Sequence, residues 1–363
     1  MFFKAIVVGK LFIYRGILPS ETMGVDIGGL FHKETISFQD LHDSVIAIDA
    51  HNVLHQFLAI IRQRDGTPLK NAKGEITSHL SGLFHRTANM IEARIRPVYV
   101  FDGKPPILKA KTLQMRRERK EQARKEWQEA LEKGDLEQAK LKAQQTSQIT
   151  DVILQQSMEL LDALGIPYVQ APSEGEAQAS YMVKKGDAFA VGSQDFDCLL
   201  VGAPLLIRNL TSSGKRKLPG KQAYTKITPE QIRLEANLRE LGITQKQLVD
   251  MALLIGTDFN DGIKGIGPKK SLDIIKKNGN LENAIATLGY DDNVLTIEEI
   301  KDIRQIFLNP KVRDDYKLQW TVPDTEKVIQ ILCDRHQFSQ QRIEPILTKF
   351  SHVDQMMKQK TLF

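Results

Sequence analysis

Seven acidic residues stand at the ends of apolar runs in this chain, and nearly all are followed by a turn. They are Asp49 in VIAIDAHN, Asp102 in VYVFDGKPP, Glu174 and Glu176 in PSEGEAQAS, Asp195 and Asp197 in AVGSQDFDC, and Asp258 in LLIGTDFNDG. In an open α/β sheet the carboxyl ends of parallel strands face one crevice, so acids in these places converge. The motifs themselves bring almost no positive charge. Seven like charges in one crevice repel unless a cation joins them. A pair of divalent metal ions fits, because hard cations take oxygen ligands and magnesium favours a few carboxylates plus a substrate phosphate.

The runs that carry these acids are rich in Val, Ile and Tyr, and 45–49, 97–101, 166–170, 188–192 and 205–208 read as strands. Helical patterns separate them, which predicts an α/β fold with a mainly parallel sheet. Residues 78–95 have helical apolar spacing and open on a serine suited to start a helix. Between the second and third strands the stretch from Gly103 to Gly165 is far longer than a simple crossover. It opens on Pro105-Pro106, then turns helical and heavily charged. After Asp258 the character changes, and helices dominate from Ile263 onward. With 363 residues, 41% of them hydrophobic and 26% charged, the chain can bury a sizeable core in one large domain or two.

Several classes are excluded. Cys198 and Cys333 are the only cysteines and lie far apart, so a disulfide framework and a zinc site are not expected, in keeping with an intracellular protein. No run approaches the ~20 apolar residues of a membrane span. The opening MFFKAIVVGKLFIYRGILPSET is broken by Lys4, Lys10 and Arg15 and makes a poor signal peptide. Met23 opens MGVDIGGL, and translation is expected to begin there, with residues 1–22 contributed by an upstream start choice.

Each acid also has a structural alternative. Ser173-Glu174-Gly175-Glu176 reads as a capping box before a helix. Asp195 and Asp197 suit turns. Asp195-Phe196-Asp197 also resembles the DxD of an aspartyl-phosphate phosphatase, although that motif wants Thr or Val where Leu199 stands. Asp258 could end a helix, an unfavourable place for an anion. Caps and turns account for each acid separately but not for all seven. A metal pair about 4 Å apart activates water and stabilises the leaving oxygen of an in-line displacement at phosphorus. The eight histidines offer no HExxH spacing as a competing site.

The rest of the charge points to a polyanion. The chain holds 50 Lys+Arg against 45 Asp+Glu, a modest net charge of +5. Residues 109–125, KAKTLQMRRERKEQARK, concentrate eight Lys/Arg against two Glu immediately beyond Asp102. A solvated helix face is the plain reading of such a run. Beside a metal site it can also grip the phosphates of a single strand. Gly262-Ile263-Lys264-Gly265-Ile266-Gly267-Pro268-Lys269-Lys270 precedes a helical pattern. Its glycines allow close backbone approach, and the helix N-terminus and two lysines favour a phosphate. That pattern suits a hairpin gripping duplex backbone without reading sequence. A second basic loop, Gly214 to Gly220, is a weaker signal of the same kind. An acidic metal site in a basic body describes a nuclease.

These segments together identify a resemblance. IAIDAHNVLHQFL, ITSHLSGLFHRT, PVYVFDGKPP, VQAPSEGEAQASYM, GSQDFDCLLVGAP, GKRKLPG and LIGTDFNDGIKGIGPKK run in order along nearly the whole chain from Met23. In this they resemble the archaeal or eukaryotic-type flap structure-specific endonucleases of the xeroderma pigmentosum group G superfamily. The resemblance implies a PIN-like nuclease core, a helical arch over the active site and a helix-two-turn-helix grip on duplex DNA. It places the metal ligands on Asp49, Asp102, Glu174, Glu176, Asp195, Asp197 and Asp258, with catalytic roles for Asp102, Asp197, Lys109 and Arg116. DNA contacts fall on His55, Arg86, Lys109, Arg116, Gly265, Gly267, Lys269 and Lys270. A potassium ion (K+) in the duplex grip falls near Gly262, Ile263 and Ile266. Three departures stand out. His55 replaces the family's usual stacking tyrosine, residues 1–22 precede the usual start, and the tail's clamp-binding motif is shortened. That tail keeps Gln359 and Leu362 but places Phe363 directly after Leu362, so contact with the sliding clamp (proliferating cell nuclear antigen) is expected to be weakened.

The expected organisation is an N-terminal extension over 1–22, a first nuclease region with the start of the arch over 23–120, and a helical insertion over 121–165. A second nuclease region over 166–258, the helix-two-turn-helix and C-terminal helices over 259–345 and the tail over 346–363 follow. The implied activity is cleavage of 5′ flaps, with 5′–3′ exonuclease action, by two magnesium ions (Mg2+), or manganese, during replication and repair. The alternative is a related bubble or junction nuclease. A monomer without membrane contact is expected, cytoplasmic in an archaeal cell and nuclear in a eukaryotic one. A DNA-binding scaffold without activity is disfavoured, because all seven acids are present.

Overall fold

The computed structural model describes residues 24–211, 215–217, 224–288 and 296–351. The expectations about residues 1–22 and about Gln359, Leu362 and Phe363 therefore lie outside the described residues, as does much of the Gly214–Gly220 loop.

The apolar runs do become strands. Along the chain these are β1 (Glu34–Thr35), β2 (Val45–Asp49), β3 (Arg96–Phe101), β4 (Tyr168–Gln170), β5 (Ala190–Gly192) and β6 (Leu205–Arg208), then β7 (Lys215–Lys217), β8 (Tyr224–Lys226) and β9 (Glu230–Arg233). The main sheet has seven strands in the order β1-β9-β6-β5-β2-β3-β4, and β7 and β8 form a separate antiparallel pair. From β6 to β4 every pairing is parallel, whereas β9 and β1 add antiparallel strands at one edge. Parallel strands covered on both faces read as continuous apolar stretches, and Ile46, Ala47, Ile48, Val98, Tyr99, Val100, Ala190 and Val191 are all fully buried. The antiparallel strands β1 and β9, in HKETISF and PEQIRL, lack such a run, which hides them in the sequence. The chain moves from β2 outward through β3 to β4 and then returns to β5 on the other side of β2. That reversal opens a crevice at the carboxyl ends of β2 and β5.

Helices flank the sheet. They begin with α1 (Ala50–Ile60) and α2 (Ser78–Glu92). Ser78 does not cap α2. It lies inside the helix, its hydroxyl donates to the Ile61 carbonyl at 2.7 Å, and it accepts from the Leu69 amide at 3.0 Å, so it fastens the 61–77 loop instead. The helix also ends three residues early, because Arg94 adopts a left-handed φ of 57°.

The long insertion builds α3 (Ala110–Glu132), α4 (Leu136–Gln144) and α5 (Asp151–Ala163). Residue 120 falls within α3, so the expected boundary there cuts one continuous helix. The helices α3 and α4 form a hairpin turned at Gly134, with small buried side chains from Ala123, Ala130, Ala139 and Ala143 and a Lys142–Glu126 ion pair at 2.5 Å. This hairpin rests on the 61–77 loop. Trp127 Nε1 donates to the Asp65 carbonyl at 3.2 Å, and the Arg62 guanidinium reaches Ser147 Oγ at 3.1 Å. Gly66, at φ +86°, lies so near α4 that a Cβ there would come within 2.6 Å of the Ala143 methyl.

Beyond β4 come α6 (Gly175–Lys185), α7 (Asp197–Leu200), α8 (Leu234–Leu241), α9 (Gln245–Ile255), α10 (Pro268–Asn278), α11 (Leu281–Leu288), α12 (Ile297–Leu308), α13 (Thr325–Ile329) and α14 (Gln340–Leu347). Both cysteines are free, and none of the described helices is long and apolar enough to cross a membrane. Three of the helices after β9 (α9, α11 and α12) are fastened by one ionic knot. Arg304 of α12 donates from Nε to the fully buried Asp250 of α9 at 2.6 Å, and its two terminal nitrogens hold both oxygens of Glu282 on α11.

Removing the cation of a buried pair strands its carboxylate, which costs about 3–5 kcal/mol. Arg304→Met is therefore expected to lose that much stability, read by denaturant unfolding. The bond to Arg304 holds Glu282 down to about 2. Its stabilising share is present above the ordinary carboxylate range and is lost as the acid protonates. The gap between native protein and variant should therefore narrow as the pH falls from about 5 to about 2.

Candidate active site

The crevice collects the seven acids from five places in the chain. Asp49 ends β2 and caps α1, accepting from the Asn52 amide at 2.9 Å and from Ser193 Oγ at 3.2 Å. Asp102 follows β3, and its Oδ1 accepts from the Gly175 amide at 2.6 Å. Glu174 and Glu176 sit at the start of α6. The capping box read in Ser173–Glu176 does not form: the residue at the cap position is Glu174, and no side chain bonds to the helix amides there. Both glutamates are thus left to face the crevice. Asp195 and Asp197 follow β5, with the Asp197 amide donating to Asp195 Oδ1 at 3.2 Å and the Val25 amide donating to Asp197 Oδ1 at 2.8 Å. Asp258 lies past the end of α9, in the turn that leads to the glycine-rich segment. Its helix-terminus reading therefore falls away.

Burial and mutual repulsion raise the affinity of these acids for protons. Burial first, then the charge of Asp102, pushes Asp49 to about 6. Burial and the charge of Asp258 bring Asp197 to about 6 as well, although the Val25 amide pulls it down. Glu176 and Asp195 are driven well above the carboxylate range, by burial and then by Asp197 in both cases. Glu174 is raised too, chiefly by burial and against the pull of Lys109.

Two cations enter this cluster from the insertion, an arrangement that cannot be seen in the motifs themselves. Lys109, at the foot of α3, places Nζ 2.5 Å from Glu174 Oε2 and 3.2 Å from Asp258 Oδ2. About two turns further on, Arg116 holds Asp258 Oδ1 at 2.5 Å. Burial works against the Lys109 charge, but Glu174, Glu176 and Asp258 hold it well above the ordinary lysine value. The foot of α3 is also tied directly to the Asp258 turn, since Thr112 Oγ1 donates to the Asp258 carbonyl at 2.7 Å and Lys111 pairs with Asp261 at 2.5 Å.

The other expected residues are more scattered. His55 is half-buried on α1. Burial, reinforced by Lys120, His51 and Arg116, pushes its imidazole down to about 3, so it is neutral at physiological pH and any effect tied to its titration lies far below 6.5. Arg86 is half-buried on α2 and joins none of the ion pairs of the acidic cluster. Lys269 and Lys270 are exposed in the first turn of α10, beyond Gly267 and the N1 proline Pro268. Gly262 and Gly265 adopt φ of +67° and +85°, and a Cβ on Gly262 would lie 2.3 Å from the Ile255 carbonyl. The Ile263 carbonyl accepts from the Ile266 amide at 3.0 Å.

Three groups at the site escaped the sequence reading. His51 accepts the Asp102 amide at Nδ1 (3.1 Å), which fixes the tautomer with its proton on Nε2 when neutral. Its position two residues after Asp49 is the signal that could have drawn notice. Ser193 and the Val25 amide orient Asp49 and Asp197, but a hydroxyl and a backbone amide leave no motif.

The donor set is one of hard, buried oxygens whose charges repel, which suits hard divalent cations. Among the described residues no three acidic or histidine side chains are already arranged as a ligand set for one ion. Magnesium fits such a site, because it keeps several waters and takes only one or two carboxylates directly.

Asp49 offers a test independent of activity. Its folded-state value of about 6 lies above the ordinary 3.8, so the metal-free protein is penalised while the group is ionised. Asparagine keeps the cap through its oxygen, and its amide nitrogen can donate to Ser193 Oγ in place of the bond Asp49 accepts, without the charge. Asp49→Asn should therefore be more stable than native protein near pH 7.5 in chelator, by on the order of 2 kcal/mol. The advantage should fade between about pH 6 and pH 4 in thermal melts.

Comparison with known proteins agrees with this geometry. A family described as the XPG N-terminal domain matches residues 30–123, and the XPG I-region matches residues 165–258. Asp49 and Asp102 fall in the first segment and the other five acids in the second. The Flap endonuclease 1 of Pyrococcus abyssi is 51% identical over 341 residues, which covers 94% of this chain and 97% of that protein. The solved flap endonuclease-1 of Methanococcus jannaschii superposes with a TM-score of 0.72 at 43% identity, over 91% of this chain and 98% of its own. The catalytic core of Rad2, solved in complex with a DNA substrate, shares the fold at 24% identity and a TM-score of 0.64, over 89% of this chain and 97% of its own. With half of its residues shared along nearly the full length of such relatives, the chain belongs to the flap endonuclease family of the XPG nucleases.

Proposed function

We infer that this protein is a structure-specific nuclease that hydrolyses phosphodiester bonds in branched DNA at 5′ flaps, with 5′–3′ exonuclease action, during replication and repair. The observation that carries this reading is the meeting of Lys109 and Arg116 with Glu174 and Asp258. It joins the cationic helix of the insertion to the acidic crevice of the sheet. The family uses a divalent metal, and we assign two magnesium ions to Asp49, Asp102, Glu174, Glu176, Asp195, Asp197 and Asp258. When bound, such ions supply an activated water and charge stabilisation at phosphorus.

The chain's own residues do the rest. Lys109 and Arg116, placed between insertion and crevice, can leave their carboxylates for a phosphate and stabilise its developing charge. His55, neutral on α1, offers a flat ring for stacking against a base. Ser193, Asn52 and the Val25 and Gly175 amides hold individual carboxylate oxygens in place.

For the duplex we assign the Gly262–Lys270 turn and the N-terminus of α10. Gly265 and Gly267 let the backbone approach, Lys269 and Lys270 add charge, and Arg86 contributes from α2. A potassium ion there would draw on the carbonyls of Gly262, Ile263 and Ile266. The Ile263 oxygen keeps a lone pair after accepting the Ile266 amide. The tail with Gln359, Leu362 and Phe363 is assigned a weak contact with a sliding clamp. Archaeal relatives favour the cytoplasm as its setting.

A labelled double-flap substrate with magnesium, beside single-stranded, nicked and four-way controls, tests the activity. Preference for four-way or bubble DNA would overturn the flap assignment. Single-turnover rates test the arch foot. Lys109→Ala and Arg116→Ala should each lower the rate more than the affinity for the flap. Equal, small losses at these two and at Lys120 would reduce the run to a solvated face.

The duplex grip predicts a different signature. Lys269→Ala with Lys270→Ala should weaken binding to every DNA sequence alike. Each lost phosphate contact should reduce the slope of log affinity against log salt by roughly one. A sequence-selective loss would contradict a backbone-only role.

A further inference from the structure

Between the two acids of the Asp195–Asp197 turn stands Phe196, and the structure grips its ring from several sides. Phe31 stacks with it at a centroid separation of 6.2 Å and an interplanar angle of 13°. The Arg208 guanidinium lies 4.4 Å from its centroid and the Lys33 ammonium 5.4 Å from it. Gly28 passes so close that a Cβ there would come within 2.3 Å of the ring. Two cations on one ring repel each other, and Glu230 relieves part of that charge at 3.9 Å from Arg208. Arg208 also donates from Nε to the Gln194 carbonyl at 3.3 Å, so the residue that grips the ring also grips the backbone leading into the turn.

The N-terminal segment that supplies Gly28, Phe31 and Lys33 touches the carboxylates as well. A Cβ on Gly24 would sit 2.0 Å from Asp195 Oδ1, and the Val25 amide donates to Asp197 Oδ1 at 2.8 Å. One segment therefore lies against the ring and against both acids. Asp195 and Asp197 repel each other, so their separation has to be enforced by what surrounds them. Phe196 shares a peptide plane with each. A ring that cannot turn fixes its own Cα–Cβ direction and thereby the backbone from which both carboxylates project.

We propose that Phe196, clamped by Phe31, Lys33 and Arg208, is a positioning residue that holds Asp195 and Asp197 at the spacing needed to receive a divalent cation. This rests on the assignment of those two acids as metal ligands. It adds that the N-terminal segment and the far end of β6 belong to the metal site without touching the metal. The contacts are made by side chains that carry no ligand chemistry, so a change in them alters the site through geometry alone.

The test is manganese binding to the DNA-free protein, followed by electron paramagnetic resonance, beside the thermal midpoint and flap affinity in chelator. Phe196→Leu removes the ring while keeping apolar bulk, and Phe196→Tyr keeps the ring. Loss of support around metal ligands typically weakens affinity by about tenfold or more, so the leucine variant should lose about that much while the tyrosine variant stays within about twofold of native. Flap affinity in chelator, where no divalent ion occupies the site, should remain native in both. Manganese affinity in Phe196→Leu within about twofold of native overturns the proposal. If Phe196→Leu does not fold, Arg208→Gln decides, and native manganese affinity in that variant overturns it equally. Asp197→Asn is the control for the underlying assignment. If it binds manganese as tightly as native protein, or if native protein binds none, the metal-site reading fails and this proposal with it.

Discussion

Repulsion among buried carboxylates is the constraint on which this structure turns. Five of the seven acids are held above the ordinary carboxylate range, each chiefly by burial and then by its neighbours' charges. A protein selected for stability alone would not assemble them, because each ionised acid out of water costs free energy that no hydrophobic contact near it recovers. Such a cluster persists only where a rigid frame over-determines it. The frame is the parallel sheet. Asp49 ends β2, and Asp102 and the 195–197 turn follow β3 and β5, strands whose apolar side chains are almost all buried and paired on both sides, so these acids are carried by the core of the sheet.

The same repulsion explains the reach of the insertion. Without a cation, Glu174 and Asp258 would have no favourable partner across the crevice. Lys109 supplies one to both, at only 13% side-chain exposure, and Arg116 adds a second for Asp258. The helix that brings them is poor in apolar residues and packs on its neighbour through alanines, so it has little core of its own to hold it. Its position comes instead from discrete attachments at each end: Thr112, Lys111 and Arg116 at the Asp258 turn, and Trp127 at the 61–77 loop. A helix fixed by a few polar contacts and ion pairs shifts more readily than one packed on a broad apolar face.

What the sequence made legible follows from this division. Strands with unbroken Val, Ile and Tyr runs announce themselves, and all five such runs became the parallel strands of the sheet. Strands β1 and β9 pair through backbone and, Ile232 apart, through polar side chains open to solvent in whole or part, which leave no comparable pattern. The acids were legible because a carboxylate after an apolar run is conspicuous. Their supports were not: a serine hydroxyl, two backbone amides and a phenylalanine between two aspartates look ordinary until the fold brings residue 25 beside residue 197. Ser78 shows the opposite failure, a residue placed correctly at a helix start but used to pin a loop rather than to cap. For His55, residue type alone says nothing of its surroundings, and burial, reinforced by Lys120, His51 and Arg116, lowers its affinity for a proton.

An acidic crevice and an anionic substrate pose an electrostatic contradiction, and the geometry resolves it by sequence of contact. A phosphate approaching seven acids meets repulsion unless positive charge lies in its path. On the assignment proposed above, Lys109 and Arg116 stand in that path while paired to Glu174 and Asp258, so the charge meant for the phosphate is already largely desolvated and oriented. Moving it from a carboxylate to a phosphate exchanges one ion pair for another of similar geometry, at far less cost than bringing a hydrated lysine in from solvent. The carboxylates so released then need other cations, which is the demand that divalent ions meet. That assignment would couple substrate entry to metal coordination through the same two side chains. That coupling gives a physical reason for the cationic stretch of the insertion to begin within a few residues of Asp102 rather than elsewhere in the chain.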